Sequence, residues 1–162
     1  MAAETITATR AAAGAHVFKG MGGGALCAAY GTTEIAAGNL LEAGDTINFC
    51  KIPAGAVVLG GWLYGDDLDT DANEAIDIDL GWAANGVEAV DTDGFGNIGV
   101  ITGDAVAEWK TVAGIFLPLQ GLLLADGPKT FSAETTITGT VVAAATAGGT
   151  GTLSLVVLYI VP

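Results

Sequence analysis

Large apolar residues alternate strictly with acidic or small residues along residues 76–82 of the chain. In a β-strand this spacing sends Ile78 and its apolar companions to one face and Asp77 and Asp79 to the other, whereas a helix would mix the two classes. A strand with one apolar face is stable only against a second apolar layer, because each large side chain contributes about 1.5–3 kcal/mol when it is buried. The pattern therefore predicts a two-layer β protein.

Segments with strand character recur between clusters of turn residues. Residues 57–64 are almost wholly apolar, which is typical of a strand that is covered on both faces. Aspartate-rich residues 66–73 and glycine-rich residues 147–149 predict hairpins between the strands on either side of them. The predicted strands with the clearest patterns are residues 26–35, 46–52, 57–64, 76–82, 135–144 and 150–161.

Two further elements complete the prediction. Residues 91–97 are rich in aspartate and glycine and predict a loop, and Asp104 offers an N-cap for a short helix over residues 105–109. Counting the segments between turn clusters gives about seven or eight strands and one short helix. This pattern predicts an all-β fold, a β-sandwich of the jelly-roll type.

Residues 1–25 differ in composition from the body at residues 26–162. They consist largely of alanine, glycine and threonine and predict an extended N-terminal arm in front of a single β-sandwich domain. A frayed terminus is the alternative. Val17, Phe18 and Met21 favour the arm, because large apolar side chains require a surface on which to pack.

The composition indicates a chain that assembles. Of its 162 residues, 51% are hydrophobic and 14% are charged, which predicts that part of the surface is buried against a partner. The net charge of −13 lies in the body, because Arg10 and Lys19 against Glu4 leave residues 1–25 at +1. An acidic body repels phosphate backbones and anionic lipids, which argues against nucleic acid and membrane partners.

The chain begins without the basic and apolar stretches of a secretory signal, so synthesis in the host cytoplasm is expected. The longest apolar run, residues 153–161, is too short to cross a bilayer. Cys27 and Cys50 are interpreted as small buried residues, and a disulfide between neighbouring strands is the alternative.

Candidate metal-binding and catalytic residues are sparse. His16 is the only histidine, which excludes a Ser-His-Asp relay or a multi-histidine metal site within one chain. Asp67, Asp69 and Asp71 resemble the start of a calcium loop, but the glycine and the glutamate that such a loop needs are missing. These three residues are weak candidates for a metal site, and a solvated acidic turn is the favoured interpretation.

No motif in the chain points to catalysis. Paired carboxylates can hydrolyse glycosidic bonds, but nothing in the sequence places any pair at the required separation. Trp62, Trp82 and Trp109 would suit stacking on sugar rings, yet Trp62 and Trp82 lie in apolar strand patterns and are assigned to the core. We therefore expect no enzyme activity and no cofactor.

Residues 53–70, 76–82 and 150–159 together resemble the capsid decoration proteins, or cement proteins, of tailed bacteriophages. The segments that carry the resemblance are Pro-Ala-Gly before the apolar strand, the Asp-Asp-Leu-Asp-Thr turn, and the final strand Thr-Gly-Thr-Leu-Ser-Leu-Val-Val-Leu-Tyr. The resemblance implies a trimer on local three-fold positions of an icosahedral shell, with a β-sandwich or β-tulip body. It also implies a place on the exterior of the virion, with the major capsid protein as partner and shell stabilisation as function.

On that resemblance, the arm binds the capsid or a neighbouring subunit by adding backbone hydrogen bonds to a sheet edge. The candidate contact residues of the arm are Arg10, His16, Val17, Phe18, Lys19 and Met21. Two other functions stay open. One is a carbohydrate- or receptor-binding module that uses Trp109, Tyr64 or the acidic loops, and the other is a tail structural subunit that assembles into rings or tubes.

Overall fold

The structure, a computed structural model, describes residues 4–7, 25–71, 75–97 and 115–162. The elements are β1 Thr5–Thr7, β2 Leu26–Ile35, β3 Thr46–Ile52, β4 Val57–Gly65, β5 Asp77–Trp82, β6 Asp91–Asn97, β7 Ile115–Pro118, α1 Leu122–Ala125, β8 Lys129–Thr130, β9 Thr135–Ala143 and β10 Gly151–Ile160. The predicted bounds of β2 and β3 are confirmed. The predicted helix at residues 105–109 and the arm beyond β1 lie outside the described residues, and α1 was not predicted.

The strands form two sheets that face each other. Sheet 1 has the order β1-β3-β9-β5-β6, and sheet 2 has the order β2-β10-β4-β7 with β8 paired to β4. All these pairs are antiparallel except β1 with β3. Apart from the short β1 and β8, the eight remaining strands have the two interleaved four-stranded sheets of a jelly roll. The predicted all-β sandwich is confirmed.

Both predicted hairpins are wrong. The strands β4 and β5 lie in different sheets, and so do β9 and β10. Turn residues mark where the chain reverses, but they do not determine whether the next strand returns to the same sheet. The two connections instead cross between the sheets and meet each other, because Asp69 and Gly148 form an isolated antiparallel bridge.

The loop predicted at residues 91–97 is in fact β6, which pairs with β5. The glycines that indicated a turn serve close packing instead. A Cβ atom on Gly94 would lie 2.2 Å from Cζ3 of Trp82, so only glycine allows the strand backbone to approach the indole ring. The neighbouring Phe95 is buried in the core.

The core lies between the sheets and includes a cluster of aromatic rings from the end of β5, from β6 and from the residue after β8. Trp82 packs edge-on against Phe95 and Phe131 with ring centroids 5.2 and 5.3 Å apart. The Nζ atom of Lys129 lies 4.9 Å from the centroid of the Trp82 ring. Trp82 is buried, so its assignment to the core is confirmed.

Gly31 lies where β2 of sheet 2 approaches β3 of sheet 1. A Cβ atom at this position would lie 1.8 Å from the carbonyl oxygen of Phe49. We expect Gly31→Ala to lower the free energy of unfolding by about 2–3 kcal/mol, because backbone must move to remove the clash. Denaturant titration measures the loss. Gly60→Ala is the matched control because its Cβ would meet no atom within 4 Å, and an equal loss in both variants would contradict the prediction.

Candidate interaction surfaces

The outward side of sheet 2 carries a continuous group of apolar side chains, which we call the apolar face. Leu26 is 64% exposed and Tyr30 is 50% exposed. The outward positions on an antiparallel sheet are ordinarily polar when that side is solvated. The apolar face consists of Leu26, Ala28, Tyr30, Val57, Leu59, Trp62, Val156, Leu158 and Ile160.

The register of sheet 2 arranges these side chains in rows. Val156 pairs with Tyr30 on one side and with Trp62 on the other, so the three side chains form a row across the sheet. The next two rows toward the Glu34 end carry polar groups, and Tyr64 lies beside Ser154 in the first of them. Thr32 and Ser154 share a hydrogen bond of 2.9 Å between their hydroxyls, and the Thr152 hydroxyl donates to Glu34 over 2.8 Å.

The core assignment of Trp62 is wrong, because its side chain lies on the apolar face and is partly exposed. Its neighbour Leu63 points into the core instead and is fully buried. A strand that is apolar on both sides has no alternation, so the sequence does not distinguish the inward residues from the outward ones. The apolar character of residues 57–64 therefore signals this surface without showing which residues form it.

The outward side of sheet 1 is polar by contrast. The partly exposed residues of β3 and β9 there include Asn48, Lys51, Thr136 and Thr140. Lys51 forms a salt bridge of 3.1 Å with Glu134. The two sheets of the sandwich thus present surfaces of different chemistry, and the apolar one is the candidate for contact with a protein.

The carboxylate of Asp69 binds the two crossing connections together. The side chain is 0% exposed. Its Oδ1 accepts hydrogen bonds from the backbone N–H groups of Asp71 and Ala147, with N···O distances of 3.3 and 3.1 Å. Its Oδ2 accepts from the backbone N–H groups of Ala75 at 2.7 Å, Ile76 at 3.2 Å and Thr146 at 3.0 Å.

Burial by itself raises the pKa of Asp69. Hydrogen bonds from the backbone N–H groups of Ala75, Ala147, Thr146 and Asp71 together outweigh this effect, so the net pKa lies below its ordinary value. Both oxygens face N–H hydrogens, which is a poor environment for a cation. Within the described residues, no group of three or more histidine, cysteine or acidic side chains is arranged to hold a metal ion. The favoured interpretation as a solvated turn fails at Asp69, because this residue is a buried structural acceptor.

A second set of carboxylates lies on β5 and β6. Asp77 is 2% exposed, and Oδ1 of Asp77 and of Asp79 are buried without a hydrogen-bond partner in the described part of the chain. Burial raises the pKa of Asp77. Burial and then the charges of Asp77 and Asp93 raise the pKa of Asp79. The carboxylates of Asp77 and Asp79 lie on the opposite side of β5 from Ile78, as predicted, but Asp77 is shielded from solvent.

The first strand extends the edge of sheet 1. The backbone N–H of Glu4 donates to Oδ1 of Asp45 over 2.6 Å, and the N–H of Thr46 donates to the carbonyl of Glu4 over 2.8 Å. Asn48 donates to the Thr7 hydroxyl over 3.2 Å. A cleft of about 190 Å³ lies beside this junction, which is smaller than most ligand sites. An N-terminal segment therefore binds a sheet edge, here the edge of its own sheet 1.

The remaining predicted residues have these positions. Cys27 and Cys50 are free and buried, and burial raises the pKa of the Cys50 thiol to about 12. Tyr64 lies on the outward side of β4 and is exposed. None of the described helices is long and apolar enough to cross a membrane. Outside the described residues lie Trp109 and the arm residues Arg10, His16, Val17, Phe18, Lys19 and Met21.

Comparison with known proteins gives matches among solved structures. No protein-family model and no curated protein matches the chain. A chain in the capsid asymmetric unit of cyanophage Pam1 is 25% identical with a TM-score of 0.66, over 95% of this chain and 99% of that one. A chain in the capsid of Ralstonia phage GP4 is 19% identical with a TM-score of 0.75, over 98% of both chains.

A third similar chain comes from the acid-stable capsid of Helicobacter pylori bacteriophage KHP30. It is 14% identical with a TM-score of 0.54, over 85% of this chain and 88% of that one. All three neighbours come from phage capsids. The resemblance to proteins of phage capsids is confirmed at this level, and the last two matches establish the shared fold alone.

Proposed function

We propose that the protein is a structural virion protein that binds the outer surface of an icosahedral phage capsid as a trimer. It stabilises the shell by clamping neighbouring major capsid subunits. The observation that carries the proposal is the match to a chain of the cyanophage capsid over nearly the full length of both chains. A match of this extent favours a role for the whole fold and not for an attached domain.

The surface chemistry supports the same role. A trimeric clamp functions through buried contact area and requires no catalytic step, and the apolar face supplies outward apolar side chains on a rigid sheet for contact between protein subunits. The net charge of −13 disfavours contact with the packaged genome, which supports a position outside the shell. Synthesis in the host cytoplasm is part of the proposal.

The proposal is tested by mixing the purified protein with expanded shells that lack it. We expect saturable binding at a number of copies set by the three-fold positions, and a higher temperature of shell rupture when the sites are filled. Shells of an unrelated phage are the control. Absence of binding, or binding without a change in rupture temperature, would remove the cement role.

Deletion of residues 1–25 is expected to leave the body folded and to weaken binding to the shell at least tenfold. The eight strands of the jelly roll do not include β1, so circular dichroism should show the β-sheet signal unchanged. Residues 4–7 bind a sheet edge, and the arm would supply further contacts through Val17 and Phe18. Shell binding is measured for this deletion and for a Val17→Ala, Phe18→Ala double variant. Equal occupancy of all three proteins would refute the role of the arm.

A carbohydrate- or receptor-binding role is the second candidate. It is favoured by Tyr30, Trp62 and Tyr64, whose aromatic side chains lie on the outward side of sheet 2, because such rings stack on sugar faces. Binding of the isolated protein to a glycan array, lost in Tyr64→Ala with the fold intact, would favour this role over the clamp.

A further inference from the structure

We propose that the apolar face is the surface through which three copies of this chain associate around a common axis. This inference rests on the trimer of the proposed function and names the surface that forms it. The occupant of the face is therefore a second and a third copy of the same chain, and the capsid is left to other surfaces.

For the trimer of the proposed function, the charge distribution favours the apolar face as the contact between copies. Each copy carries a net charge of −13, so two copies repel each other when their acidic surfaces meet. None of the side chains of the apolar face is charged. Contact at this face joins like-charged copies without placing carboxylates opposite one another, and it keeps those carboxylates in water.

The polar rows fix where the contact ends. Glu34 and Asp66 lie at one end of sheet 2, beyond the hydroxyls of Thr32 and Ser154. Carboxylates converging on an axis would be repelled, so this end lies at the rim of the contact. An apolar centre with a polar rim is the usual organisation of a protein interface.

The dimensions of the sheet suit three copies. Packed sheets lie about 10 Å apart, so each sheet of a trimer lies about 5 Å from the common axis. Three such sheets form the sides of a triangle around the axis, and each side must be about 17 Å wide for the triangle to close. Strands are spaced about 4.8 Å apart, and the four strands of sheet 2 span about 15–19 Å. Each face then contacts both of its neighbours.

The apolar rows also have the area of an interface centre. They run from Leu26 to Tyr30 on β2 and cover about 15 by 17 Å, or about 250 Å² of flat sheet. This is about a third of the roughly 800 Å² that each partner contributes to a stable interface. The surrounding polar residues supply the remainder.

The test compares two charge insertions at similar exposure. Tyr30→Glu places a carboxylate in the apolar face, whereas Val142→Glu places one on sheet 1 at a site that is 48% exposed. Sedimentation equilibrium of the full chain is expected to give three times 16.0 kDa for the natural protein and for Val142→Glu. Tyr30→Glu is expected to sediment as the monomer, with the trimer association constant reduced at least 100-fold. Leu26→Glu, at the first residue of β2, is the second variant if Tyr30→Glu does not fold.

The outcomes separate the surface from the function. A natural protein that is monomeric at all concentrations, or folded Tyr30→Glu and Leu26→Glu variants that remain trimers, would overturn the inference. A Tyr30→Glu trimer that no longer binds shells would assign the face to the capsid. Sedimentation measures the self-association, and shell binding measures the cement role. A trimer that depends on Tyr30 but binds no shell would therefore contradict the cement role and leave the inference about the apolar face intact.

Discussion

Asp69→Ala is expected to lower the free energy of unfolding by about 3–5 kcal/mol at neutral pH. The substitution removes an acceptor for five backbone N–H groups in the two crossing connections. Buried donors without partners are costly, and hydrogen bonds to a charged group are among the stronger ones. The donors belong to segments far apart in the sequence, so the substitution also releases the junction between residues 69–76 and 146–147.

Denaturant titration measures this loss, with Asp67→Ala as the matched control. Among the described residues, Asp67 accepts one N–H hydrogen bond, from Asp69, at 3.1 Å, so its replacement should cost about 1 kcal/mol. Asp69→Asn should give an intermediate loss, because its amide group turns donors toward some of the same N–H groups. Equal losses at positions 67 and 69 would show that the carboxylate does not join the connections.

The stability that Asp69 contributes depends on pH in a defined direction. Its pKa in the folded state lies below that of the unfolded chain, which is about 3.9. The contribution is therefore complete above the unfolded pKa and is lost as the pH falls through the folded pKa. The natural protein and Asp69→Ala should converge in stability in strong acid, and a constant difference down to that range would contradict the mechanism.

Sequence patterns predicted the strands better than their partners. Periodicity depends on local burial, so β2, β3 and the alternating β5 were found with nearly correct bounds. Whether a strand returns to its own sheet depends on the packing of both layers, which no local pattern encodes, and both hairpin predictions failed for this reason. Asp69 was missed as a structural residue because its donors at positions 146 and 147 are more than 70 residues away.

The interaction surface was predicted only in outline. An excess of apolar residues indicated a buried surface but not its place, because the wholly apolar β4 does not reveal which side faces the core. The register with β10 resolves the ambiguity by placing Trp62 beside Val156 on the outward side. The arm residues chosen from the sequence stay a prediction, since they lie outside the described residues.

Asp77→Asn is expected to raise the free energy of unfolding by about 1–2 kcal/mol at neutral pH, in contrast to the loss at Asp69. Asp77 is buried, and its Oδ1 has no partner in the described part of the chain. An ionised carboxylate in such a place is penalised by desolvation, whereas a neutral amide of the same shape carries a smaller penalty. Asp126→Asn, at an exposed position, is the control and should change stability by less than about 0.5 kcal/mol.

The gain from Asp77→Asn should decrease as the pH is lowered. Burial raises the folded pKa of Asp77 above the unfolded value near 3.9, so the folded natural protein takes up a proton while the unfolded chain is still ionised. Its stability therefore rises as the pH falls from the folded toward the unfolded pKa, and below both values the natural residue is neutral in either state. The carboxylates of Asp79 and Asp93 remain in the variant, so the difference between the two proteins isolates Asp77 and its charge coupling to Asp79. A gain that is the same at every pH would mean that Asp77 is not an ionised buried group at neutral pH.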